Sequence, residues 1–354
     1  MRLLAVISHH GLGHLAQAGP VLNALYSIQP DLDLTIWSGL STEALQARVY
    51  FPFQHRREPA DVGLTMIDAL KVDTVASHAA YLDFHQDWEH RVDQESEWLK
   101  ENDFHGVYSD VAYLPLAAAK LAGKPSVAMC SLNWLDIAGT YLSDRPGMGI
   151  ILDQMENAYR CAQAFLRPIP AMPMAWLPNC EEIAPIADRG HVRRKELLQA
   201  VGGRGNTKTV LVGFGGIGYQ GDLPEITGVT WLAPDDWIGN RTDLVTFKTQ
   251  GLSFLDMLAS CDALLTKVGY GSFVEAVTHG IPVLYIDRPD WPETPYLADW
   301  LIRHGNGVAI SESELFTERA GELLDQLWNM SPQPRLETNG AAEAAHRVLN
   351  LLES

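Results

Sequence analysis

Apolar and polar positions along the chain fall into alternating short blocks. Apolar runs at Leu3–Ser8, Leu34–Trp37, Gly106–Tyr108 and Ser126–Cys130 predict strands buried on both faces. Thr209–Val212, Val229–Leu232, Leu244–Phe247, Asp262–Thr266, Ile281–Ile286 and Val308–Ile310 predict a second set. Between them lie segments of helical spacing: Leu15–Tyr26, Tyr81–Lys100, Leu114–Ala122 and Met148–Phe165, then Phe254–Ser260, Phe273–His279, Leu297–Arg303, Glu314–Trp328 and Ala341–Leu352. Strand alternating with helix predicts parallel, doubly wound α/β sheets. The two sets are separated by a segment with Pro168, Pro170, Pro173, Pro178 and Pro185 that ends in Gly202-Gly203-Arg204-Gly205-Asn206. The expected organisation is a first domain over 1–170, a crossing over 171–206 and a second domain over 207–335.

Two turns carry candidate chemistry. After Asp262–Thr266 comes Lys267, then Gly269-Tyr270-Gly271-Ser272, then a helix stopped by Gly280 and Pro282. Backbone N–H groups and the helix dipole make such a turn an anion site. Glycine lets a phosphate approach, Ser272 adds a hydroxyl and Lys267 a charge. Glu275, one turn on, is suited to a ribose diol. A βαβ unit that merely turns on glycines has the same spacing. The second turn, His9-His10-Gly11-Leu12-Gly13-His14, follows the first strand. It lacks the third glycine of a dinucleotide fingerprint, since Ala16 stands there. His14 and Asp110 follow separate strands, so in a parallel sheet both emerge at its carboxyl edge. A histidine held by an aspartate is a competent base, although a loop histidine bonded to backbone fits the same pattern.

Composition narrows the class. The 354 residues suit two domains, and 47% hydrophobic with 20% charged is globular. A net charge of −18 argues against nucleic acid or anionic lipid as a partner. The four cysteines, Cys130, Cys161, Cys180 and Cys261, form no CxxC pair. No run reaches the length of a membrane span, and the start reads as a first strand and not a signal peptide, so the expected location is the cytoplasm. His85, Asp87, Glu89, His90 and Asp93 read as a solvated helix face.

The stretch from Lys267 to Pro282 resembles the donor-binding motif of the GT-B-fold, nucleotide-sugar-dependent glycosyltransferases. In the plant enzymes a histidine precedes Gly-Trp-Asn-Ser, a glutamate stands eight residues after that histidine, and Gly-Val-Pro follows. Here Lys267, Gly269-Tyr270-Gly271-Ser272, Glu275 at the same offset of eight, and Gly280-Ile281-Pro282 match. Lys267 in place of histidine is the departure; it keeps a charge with different reach. Over most of its length the chain bears a closer resemblance to the glycosyltransferase-like N-terminal portion of plant L-arabinokinases. That portion has a similar Lys-x-Gly-Tyr-Gly turn and aromatic-acidic loop.

The resemblance implies two Rossmann-like domains facing a cleft, with the last helix (336–354) packing back on the first domain. It implies donor contacts at Gly215 and Gly216 of the loop Gly213–Gly218, near Phe254 and Leu255, and at Lys267, Gly269, Tyr270, Gly271, Ser272 and Glu275. Glu293 and Thr294 fall where the family touches the donor sugar, with Asp287 and Asp290 as competitors. His14 would be the base and Asp110 its partner. His10, Gly11, Gly13, Asn133 and Trp134 would lie on the acceptor side, with His9 and His10 as lining or structure.

The expected reaction is inverting transfer from a nucleoside diphosphate sugar, with UDP foremost, to a small-molecule or glycan hydroxyl. No metal and no cofactor besides that donor are expected. Alternatives are a non-catalytic nucleotide-sugar binder or sugar-kinase companion, and a GT-B-fold nucleotide-sugar 2-epimerase.

Overall fold

A computed structural model describes residues 1–202, 207–216, 223–235, 241–247 and 251–352. The chain divides into two compact units. One comprises Met1–Ile67, Lys71–Ile186 and Thr338–Ser354; the other comprises Asp68–Leu70 and Ala187–Glu337.

The first unit is built on β1 (Arg2–Ile7), β2 (Asp33–Trp37), β3 (Gln54–Arg56), β4 (Gly106–Asp110), β5 (Ser126–Met129), β6 (Ala164–Pro168) and β7 (Cys180–Ile183). They form one sheet in the order β3-β2-β1-β4-β5-β6-β7, with parallel neighbours throughout. Leu3, Ala5 and Ile7 point into one apolar layer, Leu4 and Val6 into the other, as period-two side chains on a sheet covered on both faces must. The first layer is covered by α1 (Gly13–Ile28) and by α14 (Gly340–Leu352), whose Ala344, Ala345 and Val348 are fully buried in it. α5 (Leu114–Ala122) supplies Leu114, Ala118 and Ala119 to the second.

The second unit holds β8 (Lys208–Gly213), β9 (Val229–Ala233), β10 (Leu244–Thr246), β11 (Ala263–Lys267), β12 (Val283–Ile286) and β13 (Gly307–Ile310). Their order is β10-β9-β8-β11-β12-β13, again parallel. α9 (Phe254–Ser260), α10 (Tyr270–His279) and α11 (Thr294–His304) bury Leu258, Phe273, Val274, Ala276 and Leu301 in one core. α13 (Arg319–Asn329) covers the other face with Leu323, Leu324 and Leu327. No described helix is long and apolar enough to cross a membrane.

Several elements depart from the periodicity. The helix expected over Tyr81–Lys100 is two, α3 (Thr74–His85) and α4 (Trp88–Glu101). His85 is not on a solvated face: it is buried, with Nε2 2.8 Å from the Tyr113 hydroxyl and its ring stacked on Trp88 at 4.8 Å. Burial lowers its pKa to about 4, so it is neutral there. Asp87, Glu89, His90 and Asp93 are exposed. The helix expected over Met148–Phe165 ends as α7 (Met148–Tyr159), and Phe165 lies in β6 opposite Ala128. An apolar run alone does not separate a buried helix end from a buried strand. Segment 171–206, read as a crossing, contributes β7 to the first sheet and α8 (Arg194–Ala200) to the second unit. Pairing of Phe165 with Cys180 recruits this proline-rich stretch into the sheet. Its residues 203–206 lie outside the described residues. The helix expected over Glu314–Trp328 is α12 (Glu312–Leu315) followed by α13.

Candidate active-site and donor-site geometry

In each sheet the strand order reverses beside its first strand, at β1/β4 in one and β8/β11 in the other. Helices leave in opposite directions from such a point, so a crevice opens beyond the strand ends where ligands sit.

At the first reversal, β1 and β4 run in register so that Ile7 lies opposite Asp110. The chain leaves β1 through Ser8 and turns at Gly11, whose N–H donates to the His9 carbonyl at 2.8 Å. α1 starts at Gly13, so His14 sits in the first helical turn and not in the loop. Its side chain is 6% exposed, and that of Asp110 is fully buried. His14 Nδ1 lies 3.4 Å from both Asp110 carboxylate oxygens. Burial pushes the Asp110 carboxyl above its ordinary range, and the charge and hydrogen bond of His14 oppose this.

Two further groups join this pair, neither of them anticipated from the sequence. Cys130 Sγ lies 3.6 Å from His14 Nδ1. His14, Asp110 and Cys130 each offer a ligand atom within 4.8 Å of the others, a set able to hold a metal ion that cysteine spacing could not reveal. Asp61, from the irregular stretch after β3, is buried. It accepts from Ser8 Oγ at 3.1 Å and Trp134 Nε1 at 2.7 Å, and His9 Nδ1 stands 3.5 Å away. Burial works to raise the Asp61 pKa, but His9, the indole N–H and the charge of His14 outweigh it and hold it below its ordinary value. A lone acid in the apolar context Pro59-Ala60-Asp61-Val62 was the available signal.

Among the acceptor-side candidates, Asn133 and Trp134 make visible contacts. Asn133 caps α6 (Trp134–Leu142) by accepting from the Asp136 N–H at 2.8 Å. Trp134 is buried, with its ring 5.1 Å from that of His10 and 5.5 Å from that of His14. Gly11 lies in the turn before α1, and Gly13 opens the helix that carries His14.

At the second reversal, Gly213 ends β8 opposite Thr266 of β11, and the Thr266 hydroxyl donates to the Gly213 carbonyl at 2.6 Å. Gly215 and Gly216 follow at φ +71° and +78°, consecutive left-handed positions that only glycine takes without strain. Ile217 and Gly218 of the expected loop lie outside the described residues. A Cβ on Gly215 would lie 3.9 Å from Lys267 Cε, so the lysine arm runs against this loop. Burial, then the charge of Arg288, lower the Lys267 pKa from 10.5 to about 7, while Glu293 and Asp68 pull it back up.

Gly269 precedes α10 in extended backbone. Gly269 at the N-cap has no side chain to cap this helix end, and no acid occupies its first turn, where Tyr270, Gly271 and Ser272 stand. Glu275, one turn on, is buried at 2% exposure. Gly280 ends the helix at φ +71°. Phe254 is close to β8, its ring 3.0 Å from where a Gly213 Cβ would sit, whereas Leu255 belongs to the core.

Glu293 is not a solvated loop carboxylate: it is buried and accepts from Trp291 Nε1 at 3.3 Å. Thr294 donates to the Arg288 carbonyl at 2.7 Å, while Asp287 and Asp290 are exposed. Arg288, buried with its guanidinium 4.5 Å from the Trp291 ring centre, was not singled out from sequence because arginine in a loop is ordinary.

No family model matches the chain. It is 26% identical over 357 residues to L-arabinokinase of Arabidopsis thaliana, covering 96% of this chain and 33% of that protein. The chain thus spans about a third of that relative's length. Among solved structures, UGT89C1 of Arabidopsis thaliana complexed with quercetin is similar at a TM-score of 0.63 and 12% identity, covering 99% of each chain. A UDP-glucosyltransferase from Polygonum tinctorium capable of glucosylating indoxyl gives 0.60 and 14%, covering 100% of this chain and 99% of that one. The spinosyn forosaminyltransferase SpnP gives 0.59 and 14%, covering 100% and 95%. The chain has the GT-B fold of these glycosyltransferases, two parallel-sheet α/β units with seven and six strands among the described residues.

Proposed function

We propose that the protein is an inverting, metal-independent glycosyltransferase that moves a sugar from a nucleoside diphosphate to a hydroxyl acceptor. The observation that carries this is the glycine-headed, acid-free start of α10 beside Lys267 and the left-handed Gly215-Gly216 turn, an arrangement suited to a diphosphate. Among the structural neighbours, one was solved with UDP-2-fluoro-glucose and another with dTDP.

In the reaction, His14 Nε2 takes the proton of the acceptor hydroxyl as its oxygen attacks the anomeric carbon. Asp110 holds Nδ1–H and stabilises the imidazolium. The bond from the anomeric carbon to the phosphate oxygen breaks, and its electron pair leaves with the diphosphate. Lys267 and the N–H groups of Gly271 and Ser272 receive that charge. Glu275 binds the ribose, and Glu293 with Thr294 contacts the donor sugar.

A thermal-shift screen with UDP, dTDP, GDP and their sugars tests the donor site, because a ligand of the folded state raises the melting temperature by mass action. A shift with none of them would sink the reading. The shift and any turnover are expected to survive EDTA. Collapse in EDTA and recovery with magnesium or zinc would instead assign a metal, with His14, Asp110 and Cys130 the first residues to change. Glu275→Ala is expected to weaken nucleotide binding by about 1–3 kcal/mol, the scale of hydrogen bonds to a charged group. Calorimetry giving unchanged affinity would remove Glu275 from the site.

A second reading is favoured by the partial match to L-arabinokinase: a nucleotide-sugar binder that accompanies a sugar kinase. Release of nucleotide only with acceptor present supports transfer, and binding without turnover supports the companion. An isomerised donor sugar would point to a third possibility, an epimerase.

A further inference from the structure

Val111, the residue after Asp110, has φ +65°. A β-branched side chain in the left-handed region is strained, because its Cβ crowds the backbone. Such a residue persists only where its surroundings over-determine it, and strain of this kind collects at working sites. Here the surroundings are explicit. The Tyr159 hydroxyl, from α7, donates to the Val111 carbonyl at 2.7 Å. The same hydroxyl accepts from the Trp134 N–H at 3.0 Å. One residue on, Ser109 Oγ donates to the Ala112 carbonyl at 2.6 Å. Val111, Ala112, Trp134 and Tyr159 are all fully buried.

The left-handed residue turns the chain out of β4 directly after Asp110, where a regular strand would continue. The direction of the Asp110 carboxylate therefore depends on this turn. The other arm of the network reaches His14, because the Trp134 ring lies 5.5 Å from the imidazole. Burial raises the Tyr159 phenol well above its ordinary pKa, so it stays a neutral donor.

We propose that the Tyr159 hydroxyl is a positioning group for the His14–Asp110 pair, holding Val111 in its left-handed turn and tying that turn to Trp134. The proposal rests on reading His14 and Asp110 as base and partner. Tyr159 itself touches no reacting atom. Its hydroxyl acts through Asp110 on one side and Trp134 on the other.

The test reads the tautomer of His14 by long-range proton–nitrogen correlation on the full chain labelled with ¹⁵N-histidine, with His14→Gln identifying the signal. In the wild type His14 is expected as the Nδ1–H tautomer, directed at Asp110. In Tyr159→Phe, which keeps the ring, the Nε2–H share should rise. Once a donor and acceptor are found, turnover should fall about 10- to 100-fold with donor affinity unchanged, the scale of a misplaced reacting group. Adding Val111→Gly should restore the Nδ1–H form, because glycine holds φ near +65° without help.

A folded Tyr159→Phe with the wild-type tautomer overturns the proposal, as does a folded double variant no better than the single one. If Tyr159→Phe does not fold, recovery of fold and tautomer in the double variant supports the proposal, and its failure to fold overturns it. An Nε2–H tautomer in the wild type would instead refute the His14–Asp110 reading itself.

Discussion

His14→Ala is expected to abolish turnover while leaving donor affinity nearly unchanged. The argument starts from placement. His14 lies in the first turn of α1, at the strand-order reversal of the first sheet. The proposed diphosphate and ribose groups, Lys267, Gly271, Ser272 and Glu275, all belong to the second unit. Loss of a general base costs about 10²–10⁴ in rate.

Asp110→Asn should also lower the rate, since an amide neither stabilises the imidazolium nor enforces the tautomer that Nδ1, 3.4 Å away, requires. The two losses should be strongly non-additive, because each removes the same working unit. Turnover of the single and double variants, with donor affinity measured alongside, decides the matter. Full turnover in His14→Ala, or loss of donor binding as severe as in Glu275→Ala, would reject His14 as the base.

Lys267→Met is expected to weaken a nucleotide sugar by about 1.5–3 kcal/mol and the bare nucleoside hardly at all. That is a loss of about 10- to 150-fold, expressed only where phosphate is present. The pH dependence sharpens the test. In the free folded protein Lys267 titrates at about 7, below its ordinary 10.5, through burial and Arg288, with Glu293 and Asp68 opposing. Near neutrality it is therefore only partly charged.

A bound diphosphate ester favours the ammonium, so binding should take up a proton, and affinity should decline as pH rises above about 7. The diester phosphates of a nucleotide sugar do not titrate in this range, so the uptake reports on the protein. Calorimetry in two buffers of different ionisation enthalpy measures it, and Lys267→Met should remove it. The stability consequence has the opposite slope. Between about 7 and 10.5 the unfolded chain holds a proton that the folded one has shed, so stability rises with pH across that window and is flat below it. Equal losses for nucleotide sugar and nucleoside in Lys267→Met would make this lysine structural.

Much of this architecture was legible in the chain. Leu3–Ser8 and Asp262–Thr266 are apolar runs too short for helices, and each is followed by glycines and then by helical spacing. A strand buried on both faces reads as a short, nearly continuous apolar run, and the glycine turn that follows marks where it ends. The motif from Lys267 to Pro282 was equally readable, because a phosphate turn needs glycine, a donor and a helix start in consecutive positions. Those demands operate within a few residues, so the α/β class could be read from the chain, as could the candidacy of the Lys267–Pro282 turn, His14 and Asp110.

The tertiary structure alone decided what depends on distant partners. Phe165 became a strand residue because β5 and β7 offered it hydrogen bonds, although its run reads as helix. His85 left the solvated face because Tyr113 and Trp88 surround it. Cys130 reaches His14 directly, Asp61 and Tyr159 bond to Trp134 and Val111 beside the pair, and the charge of Arg288 acts on Lys267 from the next strand's loop. No spacing rule links such residues. Burial and charge at a site are sums over everything packed against it, and that sum exists only once the chain has folded.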